Sequence, residues 1–171
     1  MIMWYVLQVK TGCEESIRDK LIELGYHAIV PIANRLIRSK GSWNKKKTII
    51  FTGYVFVNLD YDAENYYRIT SMDNVVKFLG DKNDPSTLTY IEAEWICILG
   101  DNGILEPTLV EVENKELKVL KGVLQNFKSR IKSYDIRQKR AVFEITVCNE
   151  IKEITLSIDV INTEEQESDE E

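Results

Sequence analysis

From Lys115 to Arg140 the chain carries nine basic side chains, Lys115, Lys118, Lys121, Lys128, Arg130, Lys132, Arg137, Lys139 and Arg140, against two acids, Glu116 and Asp135. The local charge is +7, in a chain whose net charge is −6. Cations at this density are suited to charge-assisted hydrogen bonds with phosphate, so the segment reads as an electrostatic footprint for a polyanion, nucleic acid foremost. A solvated strand face carrying long charged side chains is the competing reading. A second basic cluster lies upstream, where Lys40, Lys45, Lys46 and Lys47 surround Trp43, with Arg35 and Arg38 beside them and no acid between. An indole among cations can stack on a base or pack on its own strand.

Catalytic chemistry has little to build on. His27 is the one histidine, and Cys13, Cys97 and Cys148 form no CxxC pair, so neither a zinc site nor a cysteine–histidine dyad is signalled. There is no glycine-rich phosphate loop and no carboxylate motif, so no enzyme and no cofactor or metal are expected. The apolar start, Met1 to Val9, lacks the basic leader of a secretory signal, and no apolar run approaches the roughly 20 residues of a membrane helix. The expectation is a cytoplasmic monomer without membrane contact.

The elements that must position these residues follow from periodicity. Trp4 to Val9 reads as a strand, and Thr11 with Glu14 forms a capping-box pattern opening a helix through Ile17, Leu21 and Leu24 to Gly25. Ala28 to Val30 is a short strand before Pro31. Leu36–Arg38 and Thr48–Phe51 pair as a hairpin whose tip is Ser39 to Lys47. Tyr54 to Leu59 is a strand, Ala63 to Ser71 a helix, Val75 to Leu79 a strand and Thr89 to Leu99 a helix ended by Gly100. After Gly100 helical periodicity disappears. Short β runs at Leu117–Leu120, Arg130–Lys132, Ala141–Val147 and Ile154–Ile158 suggest a small β-barrel, in which Arg130 and Lys132 flank an inward Ile131. The last ten residues hold six acids and read as a disordered acidic tail, while residues 60–114 carry 12 acids and 3 bases.

Trp4-Tyr5-Val6-Leu7-Gln8 followed by Gly12 and Glu14, Phe51-Thr52-Gly53-Tyr54-Val55-Phe56-Val57, and Val75-Val76-Lys77-Phe78-Leu79-Gly80 resemble, in that order, the opening segments of the NusG transcription elongation factors. Gly122, Asn126, Ile131, Asp135 and Arg140-Ala141-Val142 are similar to that family's KOW barrel. The resemblance implies an α+β fold: an RNP-like αβ sandwich (NGN domain) at 1–101, a linker at 102–114, a small SH3-like KOW β-barrel at 115–161, and the tail at 162–171. It also implies binding to the clamp helices of bacterial RNA polymerase through an exposed patch drawing on Tyr5, Gln8, Phe51, Tyr54 and Phe56. Thr52 stands where the family has proline, and Ser71 and Met72 stand where some members carry a DNA-reading Asn-Thr pair.

The basic run Arg137-Gln138-Lys139-Arg140 resembles the LoaP branch of specialised paralogues, whose barrel binds an RNA hairpin. The implied function is processive antitermination, with Lys121, Lys128, Arg130, Lys132, Arg137, Lys139 and Arg140 gripping a hairpin in the nascent transcript. Lys40, Trp43, Lys45, Lys46 and Lys47 would touch upstream or non-template DNA. The alternative is a general elongation factor whose barrel docks a ribosomal protein or termination factor, with Phe127 as the apolar contact. Ile131, Val142, Ile145, Thr146 and Val147 are poor helix formers, which favours a permanent barrel over a fold-switching segment.

Overall fold

Two sets of strands, each with its own core, organise the computed structural model, which describes residues 1–161. The expected acidic tail lies outside the described residues. The first half runs β1 (Ile2–Val9), α1 (Glu14–Glu23), β2 (His27–Ile29), β3 (Ile32–Ser39), β4 (Ser42–Ile49), β5 (Tyr54–Asp60), α2 (Ala63–Thr70), β6 (Val75–Phe78), β7 (Gly80–Asp81), β8 (Asp84–Pro85) and α3 (Tyr90–Gly100). The second runs β9 (Thr108–Glu113), β10 (Glu116–Lys121), a 3-10 segment (Val123–Arg130), β11 (Ile131–Asp135), β12 (Arg140–Val147) and β13 (Glu150–Val160). Spatially, unit 1 comprises Met1–Ile32, Ile49–Gly103 and Thr146–Glu150. Unit 2 comprises Ala33–Thr48, Ile104–Ile145 and the described residues from Ile151 onward.

In unit 1 the sheet order is β2-β5-β1-β6, with neighbours antiparallel. Side chains alternate across a strand, so Tyr5, Leu7 and Val9 share a face with Val55, Val57 and Leu59. Those six join Ile17 and Leu21 of α1 and Ile69 of α2 in one buried cluster. Val6, Phe56 and Ile29 are in cross-strand register on the opposite face. Gly100 of α3 lies so close there that a Cβ would come within 2.3 Å of Ile29 Cγ2, so a helix covers this face as well. Two covered faces explain why the middle of β1 reads as a continuous apolar run.

The start of α1 differs from the expected capping box. Cys13, not Thr11, is the N-cap and makes no side-chain cap. Glu14 is buried and turns its carboxylate back, accepting from the Gly12 N–H at 3.1 Å and from the Gly53 N–H at 2.9 Å. Gly53 holds φ +82°, a conformation costly for other residues, so the carboxylate ties helix entry to the turn before β5. The helix over Thr89 does open on a capping box, with Thr89 and Glu92 exchanging bonds.

In unit 2 the sheet order is β10-β9-β13-β12-β11. The parallel β9–β13 pair sits at its centre, so Thr108–Glu113, expected as linker, is a core strand. Val119, Phe143, Ile145, Leu156 and Ile158 fill the interior. The edge strands β10 and β11 flank one cleft of about 520 Å³ floored by Leu117, Val119 and Ile131, so the sheet curls toward a barrel without closing. The 3-10 segment supplies Leu124 and Phe127, both fully buried. Phe127 stacks on Phe143 with ring centroids 4.5 Å apart, which corrects its expected role as an exposed docking residue. Arg130 ends that segment and does not begin a strand, and Ile131 is only half buried, so the expected alternation about Ile131 does not hold.

The β3–β4 hairpin belongs to unit 2 over Ala33–Thr48. Its turn is two residues, Lys40 at φ 51° and Gly41 at φ 80°, the positive-φ pair that a tight hairpin requires. Trp43 and Lys45–Lys47 therefore lie on strand β4 and not at a long tip. The Asn34 N–H donates to the Leu105 carbonyl at 2.8 Å, and the Leu36 N–H donates to Ser157 Oγ of β13 at 2.8 Å. These bonds hold the hairpin against the barrel strands.

Candidate nucleic-acid-binding surface

A cleft of about 370 Å³ opens in unit 2 where the hairpin meets the β11–β12 turn. Arg35 and Arg38 come from β3, Trp43 from β4, and Arg137, Gln138 and Arg140 from the turn and the start of β12. No acidic side chain lines it. Among the described residues, none of the four arginines has an ion-pair partner. Lys139, in left-handed conformation at φ 52°, places Nζ 4.9 Å over the Trp43 ring, with Asp159 at 3.7 Å. That cation–π contact fixes the indole beside the arginines.

The other expected basic residues are placed differently. Lys132 is clamped between Glu144 at 2.7 Å and Glu153 at 2.9 Å. The hydrogen bond it donates to Glu144, then that to Glu153, pushes its pKa above the ordinary lysine value. Lys45 is held by Glu106 at 2.7 Å, and this bond, aided by Asn34, lowers the Glu106 pKa. Lys128 lines the separate 520 Å³ cleft. Lys121 and Arg130 are exposed on the barrel, and Lys40, Lys46 and Lys47 are exposed on the hairpin. Arg35 and Arg38, which sequence reading counted as charge without assigning a site, belong to the arginine cleft. Their separation from Arg137 by about a hundred residues hid that grouping.

The expected aromatic patch of unit 1 requires correction. Tyr5 and Phe51 are 6% exposed and Phe56 is 0% exposed. Tyr5 stacks with Tyr61, while Phe51 packs edge-on against Phe56 at 5.3 Å. Tyr5 also lies on the sheet face opposite Phe56. Gln8 and Tyr54 are cross-strand partners with partial exposure, and they carry what surface the five residues offer. Met72, which stands at the position of the expected DNA-reading pair, packs against the core cluster. Burial pushes the Cys97 thiol pKa up, with Asp101 adding to the shift, which is the reverse of what a nucleophile needs.

The described residues thus form an α+β protein with a mixed αβ unit and a β-rich unit. The family model described as "Transcription termination factor nusG" matches residues 3–96. The chain belongs to the NusG family, whose members are transcription factors and not enzymes. The transcription termination/antitermination protein NusG of Helicobacter pylori is 24% identical over 162 residues, 86% of this chain and 90% of that protein. Its counterpart from Campylobacter jejuni is 27% identical over 143 residues, 78% of this chain and 81% of the other. A solved structure described as "Domain interaction in Thermotoga maritima NusG" aligns with a TM-score of 0.53 at 20% identity, covering 92% of this chain and 94% of that one. That likeness establishes the shared fold. No helix among the described residues is long and apolar enough to cross a membrane.

Proposed function

We propose that this NusG-type factor is a specialised, LoaP-like antitermination protein that rides on RNA polymerase and binds a hairpin in the nascent transcript. Unit 1 docks the polymerase clamp helices through the surface containing Gln8 and Tyr54. Unit 2 binds RNA through its basic side, with Arg137 and Arg140 as the principal phosphate contacts. The carrying observation is that four arginines converge on one cleft without an acidic side chain, while Lys132 and Lys45 elsewhere in the unit are spent on carboxylates. Guanidinium groups are weakly hydrated and match phosphate with two parallel donors, so unpaired arginines mark the anion contact better than total charge does.

The general-factor reading keeps one support, the apolar floor of the 520 Å³ cleft at Leu117, Val119 and Ile131, which could seat a protein segment. Transcription in vitro with a leader template that encodes the hairpin upstream of a terminator separates the two. Readthrough should require the hairpin and fall with Arg140→Glu. Readthrough that is indifferent to the hairpin, and lost with Leu117→Glu, refutes RNA recruitment.

A further inference from the structure

We infer that the β3–β4 hairpin and the barrel form one composite RNA site, in which an unpaired nucleotide beside a stem enters the arginine cleft and stacks on Trp43. This rests on the RNA-binding reading above and specifies what enters the site. The cleft holds about 370 Å³, the size of a small-ligand pocket, too small for a duplex and sufficient for one everted nucleotide. Its wall chemistry suits the two ends of such a group. Arg35 and Arg38 on one side and Arg137 and Arg140 on the other can hold the phosphates flanking the base. Trp43 supplies an aromatic face already oriented by the Lys139 ammonium. Gln138 at the rim adds an amide able to donate and accept at a base edge.

The hairpin is built to stay in this place. The Leu36 N–H is bonded to Ser157 Oγ at 2.8 Å, between Arg35 and Ile37 in sequence, so the strand carrying two of the arginines is pinned to β13. On the other side, the Ile158 N–H donates to the Lys139 carbonyl at 3.0 Å, fixing the turn that carries Arg137 and Arg140 to the same strand. One strand thus sets the spacing of both arginine pairs. A site of this kind reads structure: the stem positions the phosphates, and the unpaired base supplies the selectivity that a duplex backbone lacks. The hairpin residues then act on RNA together with the barrel and not as a separate DNA contact.

The test uses the full chain and fluorescence anisotropy with a labelled RNA hairpin bearing an unpaired loop. A blunt duplex of the same stem and a DNA hairpin of the same sequence serve as comparison probes. Arg35→Glu with Arg38→Glu, and separately Arg137→Glu with Arg140→Glu, should each weaken hairpin binding by at least roughly tenfold and flatten the dependence of log affinity on log salt. Lys10→Glu with Lys20→Glu places the same charge change on exposed residues of unit 1 and should leave binding near wild type. Trp43→Ala should cost roughly 5- to 150-fold for the looped hairpin and far less for the blunt duplex.

If only the Arg137 and Arg140 pair matters, the composite site is overturned while RNA binding by the barrel stands. Equal loss with the unit 1 pair also overturns it, since diffuse charge would then suffice. A Trp43→Ala penalty identical on hairpin and duplex overturns base stacking, and equal affinity for the DNA hairpin overturns the assignment to RNA. Absence of RNA binding by the wild-type chain overturns the proposed function itself.

Discussion

Replacing Phe127 by alanine should unfold unit 2 far more readily and should not act as a local binding defect. Phe127 is 0% exposed and its ring lies 4.5 Å from that of Phe143, tilted by 25°. Truncating a buried phenylalanine to alanine costs about 3–5 kcal/mol, a sum that includes the stacked pair. Domain stabilities are about 5–15 kcal/mol, so the loss is a large part of the whole. At about 1.4 kcal/mol per tenfold in population, core amides of β12 and β13 should lose roughly two to three and a half decades of hydrogen-exchange protection. Amides of β1 and β5 in unit 1 should be unchanged. Exchange measured by mass spectrometry on the full chain resolves the two sets of peptides. Phe127→Leu should recover most of the protection, because it refills much of the cavity. Unchanged β12 and β13 protection, accompanied by loss of RNA or protein binding, would refute the reasoning and restore Phe127 as a surface contact.

Two further outcomes test the electrostatic assignments. Burial alone would raise the Glu92 pKa, but hydrogen bonds from Thr89, Thr146 and Asn149 outweigh it and hold the carboxyl below its ordinary value of 4.5. A depressed folded-state pKa contributes stability that is present above the unfolded value and lost as pH falls through the folded one. Urea midpoints of unit 1, read from its own exchange-labelled peptides, should therefore drop between about pH 5 and pH 3 by more in wild type than in Glu92→Gln, and parallel pH profiles would refute the assignment. Lys132→Ala should change RNA affinity by less than roughly threefold, whereas Arg140→Ala should cost roughly tenfold, because Lys132 is already committed to Glu144 and Glu153. Equal losses in the anisotropy assay would place Lys132 on the RNA.

The parts of the fold legible in sequence were those where one local signal decided the outcome. Ile91, Trp95 and Ile98 announced α3 by their helical spacing before Gly100, and the structure adds a capping box of Thr89 and Glu92 at its start. The same pattern at Thr11 and Glu14 failed because a tertiary partner won: Gly53, distant in sequence, offered its N–H to Glu14. β9 was missed for a different reason. Thr108–Glu113 follows Pro107 and pairs antiparallel with β10 across a turn at Asn114 and Lys115, both at positive φ, as well as parallel with β13. Neither turn residue is glycine, so no hairpin signal marked it. Aromatic residues were the hardest to assign. Alternation correctly placed Tyr54 and Phe56 on one face, but whether that face is open depends on tertiary neighbours: Phe56 is fully buried with Phe51 packed edge-on against it, while Tyr54 keeps part of its surface. Phe127 was read as exposed because the 3-10 segment has neither helical nor strand periodicity, so no face could be drawn for it.

Charge was legible as an amount and illegible as a site, because counting weights every cation equally and folding does not. In unit 2 the fold spends Lys132 and Lys45 on carboxylates and shares Lys139 between Asp159 and an indole. It leaves Arg137 and Arg140 unpaired among the described residues and brings Arg35 and Arg38 to them. The selection is by chemistry as well as position. Lysine, with a compact charge on a flexible stem, is easily drawn to a nearby carboxylate, whereas the four cleft residues carry planar forks and line a cleft that no carboxylate enters. Because half of that constellation lies before residue 49 and half after residue 136, the basic segment that dominates the sequence is an incomplete site by itself. Cutting the chain between its two halves removes Arg35, Arg38 and Trp43 along with unit 1, so an RNA affinity measured on the C-terminal piece would report the barrel's charge and not the cleft.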